Sequence, residues 1–222
     1  MQPKTWYLVR HGETEWNAAS RMQGQLDSRL TPLGREHARN SARLLARLGV
    51  DSVFASPLGR VRETVAIILA EVPLVVTYDD RLKEWSAGDW SGELHADIPI
   101  KWPVEWAAWD ADRYRYRSPG GENFADLTAR ARSFLTDASS APGTRVAIIA
   151  HGFLNRALVG ALLSLPPSET LGIRQSNDTV IRVAPARDSP VVDYFTGGDG
   201  PLPGLPNADQ DQSYLSPTGS AD

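Results

Sequence analysis

The sequence predicts an α/β fold: a three-layer sandwich with a mostly parallel central sheet and helices on both faces. Three observations carry this expectation. Short apolar runs alternate with amphipathic stretches of helical period, the pattern of strands joined by crossover helices. Two of the runs, Trp6-Tyr7-Leu8-Val9 and Arg145 to Ala150, end alike, each leading into a histidine followed by glycine, at His11-Gly12 and His151-Gly152. Hydroxyl-proline pairs, Thr31-Pro32 and Ser56-Pro57, stand where helices should open.

Taken in order, Trp6 to Val9 is apolar and rich in strand formers, so His11 falls where a strand gives way to a loop. Ligands of open α/β sheets bind at that carboxyl edge, and Gly12 lets backbone approach a ligand there. Ala38, Ala42, Leu45 and Leu48 recur at helical spacing after Thr31, and Gly49 ends the run. Asp51 to Ala55 reads as a second strand, Ser56-Pro57 as a cap with Arg60 in the first helical turn, and Leu74-Val75-Val76 as a third strand. Asp79 to Glu84 returns the chain to the same edge.

The segment 85–121 breaks this rhythm. It holds five of the seven tryptophans and reads as a lid-like insertion over the carboxyl edge, with Trp102, Trp106 and Trp109 on one helix face as a small satellite core. Arg113, Arg115 and Arg117 alternate with Tyr114 and Tyr116; in extended backbone they form a row, read either as a solvated face or, with Lys101, as a specificity set for a charged substrate. Pro119-Gly120-Gly121 marks a turn, and Phe124, Leu127, Ala131 and Phe134 form the stripe of another helix. After His151 come a helix over Leu154 to Leu165, stopped by Pro166-Pro167, and two closing strands, Val180 to Val183 and Val191 to Phe195. The expected organisation is one domain over 1–196. From Gly197 to Asp222 a Pro/Gly-rich composition predicts a solvated tail, with Tyr214 and Leu215 as its candidate anchors.

Composition narrows the function. With 222 residues, 41% apolar content and a net charge of −4 carried by scattered charges, the chain lacks the basic stripe of a nucleic-acid binder. It has no cysteine, hence no disulfide, thiol nucleophile or thiolate metal site. No segment reads as a membrane span or signal peptide, so a cytoplasmic setting is expected. Nothing in the pattern assigns an oligomeric state.

If the strands preceding them are neighbours, His11, His151, Arg10 and Arg60 converge as an anion trap. Guanidinium forks suit phosphate, and charge-assisted bonds of this kind contribute roughly 1.5 to 3 kcal/mol. The helices opening after Ser56 and Gly152 are expected to add their positive ends. Flanking guanidiniums keep an imidazole neutral and nucleophilic. Phosphoryl transfer needs chiefly positioning and charge stabilisation, and the sequence lacks a dense Asp/His cluster, so neither metal nor cofactor is expected. A leaving alkoxide needs a proton; Glu84, at the mouth of the insertion, leads, with Glu13, Asp79 and Asp80 as competitors. Asn17 and Gln23 are further candidates to hydrogen-bond phosphate or substrate.

The run Arg10-His11-Gly12-Glu13-Thr14-Glu15-Trp16-Asn17 resembles the signature of the histidine phosphatase superfamily, the phosphoglycerate mutase-like proteins. Ordered matches continue at Gln23-Gly24, Leu30-Thr31 with Gly34, Ser56-Pro57-Leu58 with Arg60 and Thr64, Leu82 with Glu84 and Gly88, Pro119-Gly120-Gly121-Glu122, and Ala150-His151-Gly152, covering about residues 5–185. The resemblance implies that His11 is phosphorylated, that Arg10, Arg60 and His151 hold the phosphoryl group with Asn17, and that Glu84 protonates the leaving group. Lys83-Glu84-Trp85 and His151-Gly152-Phe153-Leu154 depart from the pattern of cofactor-dependent mutases, whereas Gln23-Gly24 and the Pro-Gly-Gly-Glu turn look more like the small phosphatase branch. The expectation is therefore hydrolysis of a small phosphate ester through phosphohistidine. Mutase-type phosphoryl transfer and a non-catalytic phospho-ligand binding module are the alternatives.

Overall fold

A computed structural model describes residues 3–206 of the chain. Strand β1 (Thr5–Arg10) lies between β4 (Arg145–Ala150), parallel to it, and β5 (Thr179–Ala184), antiparallel to it. With β2 (Ser52–Ala55), β3 (Val76–Tyr78), β6 (Val191–Thr196) and β7 (Asp199–Pro203), the sheet order is β3-β2-β4-β1-β5-β6-β7. The first four strands in chain order run parallel, and the last three form an antiparallel extension.

Alternation along β1 and β4 divides the interior into two layers. Trp6, Leu8, Val146 and Ile148 face one core, while Tyr7, Val9, Ala147 and Ile149 face the other. The second core is covered by α2 (Pro32–Arg47) and α3 (Gly59–Glu71), through side chains such as Leu45 and Ile68. The first is covered by α6 (Phe124–Ser140) and α7 (Gly152–Leu163), with Phe124, Leu127, Ala131 and Phe134 buried as the stripe predicted. Short helices α1 (Glu15–Ala18), α4 (Ile98–Lys101), α5 (Pro103–Ala111) and α8 (Pro167–Gly172), with two 3-10 turns at Asp80–Leu82 and Gly88–Trp90, complete the described elements.

Several expectations are corrected. The third strand lies two residues later than its apolar run suggested, with Val75 86% exposed, because register with β2 and not hydrophobicity selects Val76 to Tyr78. Residues 199–203 are not tail but edge strand β7, paired with β6, so the sheet continues past residue 196. Tyr214 and Leu215 lie outside the described residues. Trp102, Trp106 and Trp109 are no satellite: Trp109 is buried within the first core, Trp102 and Trp106 pack half-buried against it, and the buried Trp90 meets Trp106 at 5.7 Å and Trp109 at 6.0 Å. Gly12 does not make room for a ligand. A Cβ there would stand 2.1 Å from the Gly34 carbonyl oxygen, so glycine lets the β1 loop abut the start of α2. Among the described residues no helix is long and apolar enough to cross a membrane.

Candidate active site

The pairing of β1 with β4 is what makes the site. Arg10 stands opposite Ala150, and the His11 amide donates to the Ala150 carbonyl at 3.0 Å, so His11 and His151 leave the sheet side by side. Their ring centroids are 5.3 Å apart. His11 Nδ1–H donates to the Gly12 carbonyl at 2.8 Å, which assigns the lone pair to Nε2. Burial, then Arg60 and Arg10, hold this imidazole well below its ordinary pKa. His151 is depressed in the same way, first by burial and then by Arg60, His11 and Arg10.

Both arginines are held by their own partners. Arg60 sits in the first turn of α3, where its Nε donates to His11 Nε2 at 3.2 Å; Nη1 reaches Asp27 Oδ1 at 2.9 Å and Nη2 the Gly24 carbonyl at 2.8 Å. Asp27 also accepts the Gly59 and Arg60 amides, so it caps α3 and orients the arginine together. Arg10 Nη1 donates to the Gln175 carbonyl at 2.7 Å, and the Gln175 side chain is tied to the Leu8 and Thr179 carbonyls and to Asn155. Ser56, read as a helix cap, is not one: its Oγ is hydrogen-bonded to His151 Nε2 at 2.7 Å, and Leu58 takes the cap position of α3.

Glu84 lies across the pocket, 8% exposed. Its carboxylate accepts from the Trp85 amide at 2.9 Å and from the Phe153 and Leu154 amides at 3.2 and 3.1 Å. Two first-turn amides of each helix, Gly59 and Arg60 of α3 and Phe153 and Leu154 of α7, are thus taken by Asp27 and Glu84, so carboxylates of the protein itself occupy the helix ends at which the sequence suggested an anion. Behind Glu84, Arg130 donates to the carbonyls of Arg81, Lys83 and Glu84 and pairs with Glu122, which in turn accepts the Ser86 amide at 2.9 Å. Of the other acid candidates, Asp79 pairs with Arg81, Asp80 with Lys83, and Glu13 accepts from Thr31 Oγ1 at 2.7 Å.

Asn17, Gln23 and Gly24 line the same pocket as Arg10, His11, Arg60 and Glu84. Asn17 Oδ1 is used by Thr14 in a capping box, which leaves its amide nitrogen as the donor. Gly24 needs its positive φ of 52° and the absence of a Cβ, which would come within 3.1 Å of Ala87. The proposed specificity set is not part of this pocket. Lys101 pairs with Glu93, Arg113 with Asp110, Arg115 with Asp112 and Arg117 with Asp126. The backbone after α5 turns instead of extending, so each arginine finds a nearby acid and no row forms. In their place the wall contains Met22, Trp85, His95 and Phe153. Trp85 and Phe153 flank residues already singled out, whereas His95 carried no signal beyond being one of four histidines.

A parallel sheet edge bearing two buried neutral histidines beside two anchored arginines, with a carboxyl group in the same pocket, defines an α/β protein whose candidate site gathers cations and uncharged imidazoles at the strand ends. The chain belongs to the histidine phosphatase superfamily: the model of branch 1 matches residues 6–196. It is 36% identical over 175 residues to glucosyl-3-phosphoglycerate phosphatase of Mycobacterium tuberculosis, covering 75% of this chain and 78% of that one. It is likewise 36% identical over 181 residues to a probable phosphoglycerate mutase GpmB of Serratia proteamaculans, covering 80% and 83%. A solved mycobacterial glucosyl-3-phosphoglycerate phosphatase complexed with VO3 superposes with a TM-score of 0.75 at 32% identity, over 87% of this chain and 98% of that one. A putative alpha-ribazole-5'-P phosphatase of Escherichia coli shares the fold with a TM-score of 0.81 at 23% identity, over 89% and 98%.

Proposed function

We propose that the chain hydrolyses a small phosphate monoester through a phosphohistidine on His11. The observation that carries this reading is the His11 Nε2 lone pair, uncharged and turned toward Arg60 in a pocket that also holds Arg10 and Glu84. Arg10, Arg60, His151 and Asn17 bind the phosphoryl oxygens, and the charge accumulating there is met by guanidiniums already fixed in place. Nε2 attacks phosphorus while the ester P–O bond breaks, and Glu84 gives its proton to the departing alkoxide. Water then attacks phosphohistidine, Glu84 takes up the water proton, and inorganic phosphate leaves with His11 restored.

The family and the relatives named phosphatases support this reading. So do the Trp85 and Phe153 side chains flanking Glu84, where the mutase pattern has other residues. Quenching into alkaline detergent after mixing with 32P-labelled ester tests it. An acid-labile phosphoenzyme, absent in His11→Ala, together with released phosphate, is expected. Conversion of 3-phosphoglycerate to 2-phosphoglycerate without release would make the chain a mutase, and binding without any phosphoenzyme would make it a binding module.

A further inference from the structure

Beyond the phosphoryl site, the pocket wall has a definite chemistry. On the side of Glu84 where the leaving group must depart, Trp85 and Phe153 stack at 5.4 Å with an interplanar angle of 27°, and Met22, Gln23 and His95 complete the lining. Trp85 is fixed by its Nε1–H bond to the Glu122 carbonyl at 2.7 Å. His95 is presented by backbone that is zipped to the opposite loop, its amide donating to the Ser20 carbonyl at 3.0 Å and the Met22 amide donating to the Glu93 carbonyl at 2.8 Å. His95 Nδ1 is buried without a hydrogen-bond partner. That atom is shut off from solvent, so His95 meets the pocket through its other atoms.

Among the described residues, the cations of this lining are Arg10 and Arg60, both at the phosphoryl end. Residues 207–222 contain neither lysine nor arginine, so that segment brings no basic side chain to the other end. Lys101, Arg113, Arg115 and Arg117 are paired elsewhere, and Arg156 lies against the Phe153 ring without lining the pocket. Burial holds the His95 imidazole down to about 4, so at neutral pH it is an uncharged donor and acceptor. A carboxylate on the leaving group would therefore lose its hydration beside Glu84 with no cation to meet it. A hydroxyl would find His95 and Gln23, and a ring or carbon skeleton would find the aromatic pair.

We infer that this pocket selects phosphate esters of uncharged, hydroxylated alcohols over carboxylate-bearing ones, with His95 as a specificity-determining residue. The inference rests on the hydrolytic reading above and adds the class of leaving group to it.

Glycerol 3-phosphate and 3-phosphoglycerate test this as a matched pair, since they differ in a hydroxymethyl group against a carboxylate. Phenyl phosphate, whose leaving group lacks both, is the reference within each variant, so that partial misfolding cancels. Wild type is expected to show a kcat/KM for glycerol 3-phosphate roughly tenfold or more above that for 3-phosphoglycerate. His95→Ala should lower glycerol 3-phosphate turnover about three- to tenfold relative to phenyl phosphate. His95→Arg should shrink the preference by roughly tenfold by supplying the missing cation. Equal or better turnover of 3-phosphoglycerate by wild type, or a preference unmoved by both substitutions, overturns the inference while leaving the phosphatase intact. Failure to release phosphate from phenyl phosphate or either metabolite overturns the hydrolytic reading itself, and this inference with it.

Discussion

Arg60 Nε donates to His11 Nε2 at 3.2 Å while Arg60 Nη1 is held by Asp27 at 2.9 Å, so an acid in a loop sets the angle at which a cation meets the imidazole. Asp27→Ala removes that anchor and the cap of α3 at once. The cap alone is worth about 1 kcal/mol. We expect a Tm lower by roughly 2 to 4 °C and a kcat/KM reduced by on the order of tenfold. Asp27→Asn should restore most of the Tm but little of the kcat/KM, and equal rescue of both by Asn would show that Asp27 serves only as a cap.

Glu84 as proton donor predicts a dependence on the leaving group. Glu84→Gln should lower kcat by on the order of 10² to 10⁴ for an alkyl phosphate. For p-nitrophenyl phosphate, whose leaving group needs no proton, the first step should survive and phosphoenzyme should accumulate, because hydrolysis of phosphohistidine still lacks its base. Rapid-quench measurement of both steps checks this; equal losses for the two esters in the first step would remove Glu84 from the role.

Arg130 reaches the carbonyls of Arg81, Lys83 and Glu84, so it acts on the acid through backbone. Arg130→Ala leaves those carbonyls and Glu122 without their cation, at a cost of about 2 kcal/mol. Alkyl phosphate turnover should fall more than p-nitrophenyl phosphate turnover in the first step. Arg130→Lys should recover stability better than rate, since an ammonium does not reproduce the planar fork. A uniform loss across esters would reduce Arg130 to a structural residue.

The buried histidines make stability depend on pH in a definite direction. His11, His151 and His95 all have folded pKa values below the ordinary value of 6.5, His95 at about 4. Below pH 6.5 the unfolded chain therefore binds protons that the folded one refuses, and stability falls as pH falls. Each such group contributes a slope of at most about 1.4 kcal/mol per pH unit in that window. Urea midpoints should be nearly level from pH 8 to 7 and decline from pH 6.5 toward 5. His95→Phe should make the decline shallower, and level midpoints down to pH 5 would contradict burial of these imidazoles in neutral form.

Gly12→Ala tests the backbone contact beneath the site. The new Cβ would meet the Gly34 carbonyl oxygen at 2.1 Å, and neither chain segment can yield without moving His11 or the start of α2. A loss of about 3 kcal/mol or more is expected, seen as a Tm lower by roughly 6 to 12 °C or as insoluble protein. A Tm within 2 °C of wild type, about the size of measurement scatter and below 1 kcal/mol, would show the contact to be slack.

The strand ends were legible because their signals are local. An apolar run followed by His-Gly at residues 11–12 and again at 151–152 marks two carboxyl ends in one sheet whatever else the chain does, and Thr31 capped its helix as its type predicts. Ser56 misled because a serine before a proline carries the same local signature whether it caps a helix or bonds a distant histidine. Val75 misled because an apolar residue at a sheet edge has no neighbour to bury it. The arginines at 113, 115 and 117 misled because alternation directs side chains to one face only if the backbone extends, and here it turns.

Sequence by itself determined the fold class, the elements that carry Arg10, His11, Arg60, Glu84 and His151, and the membership those residues share with a family. Tertiary structure alone decided that β4 lies beside β1, which sets the two histidines 5.3 Å apart. It also decided that Asp27 and Glu84 occupy the ends of α3 and α7, and that Trp85, Phe153 and His95 rather than Arg113, Arg115 and Arg117 line the pocket. The reason is physical. Propensity, capping and periodicity act within a few residues of one another, whereas these partners are 32 to 140 residues apart and meet only when the sheet and its two cores bring them together.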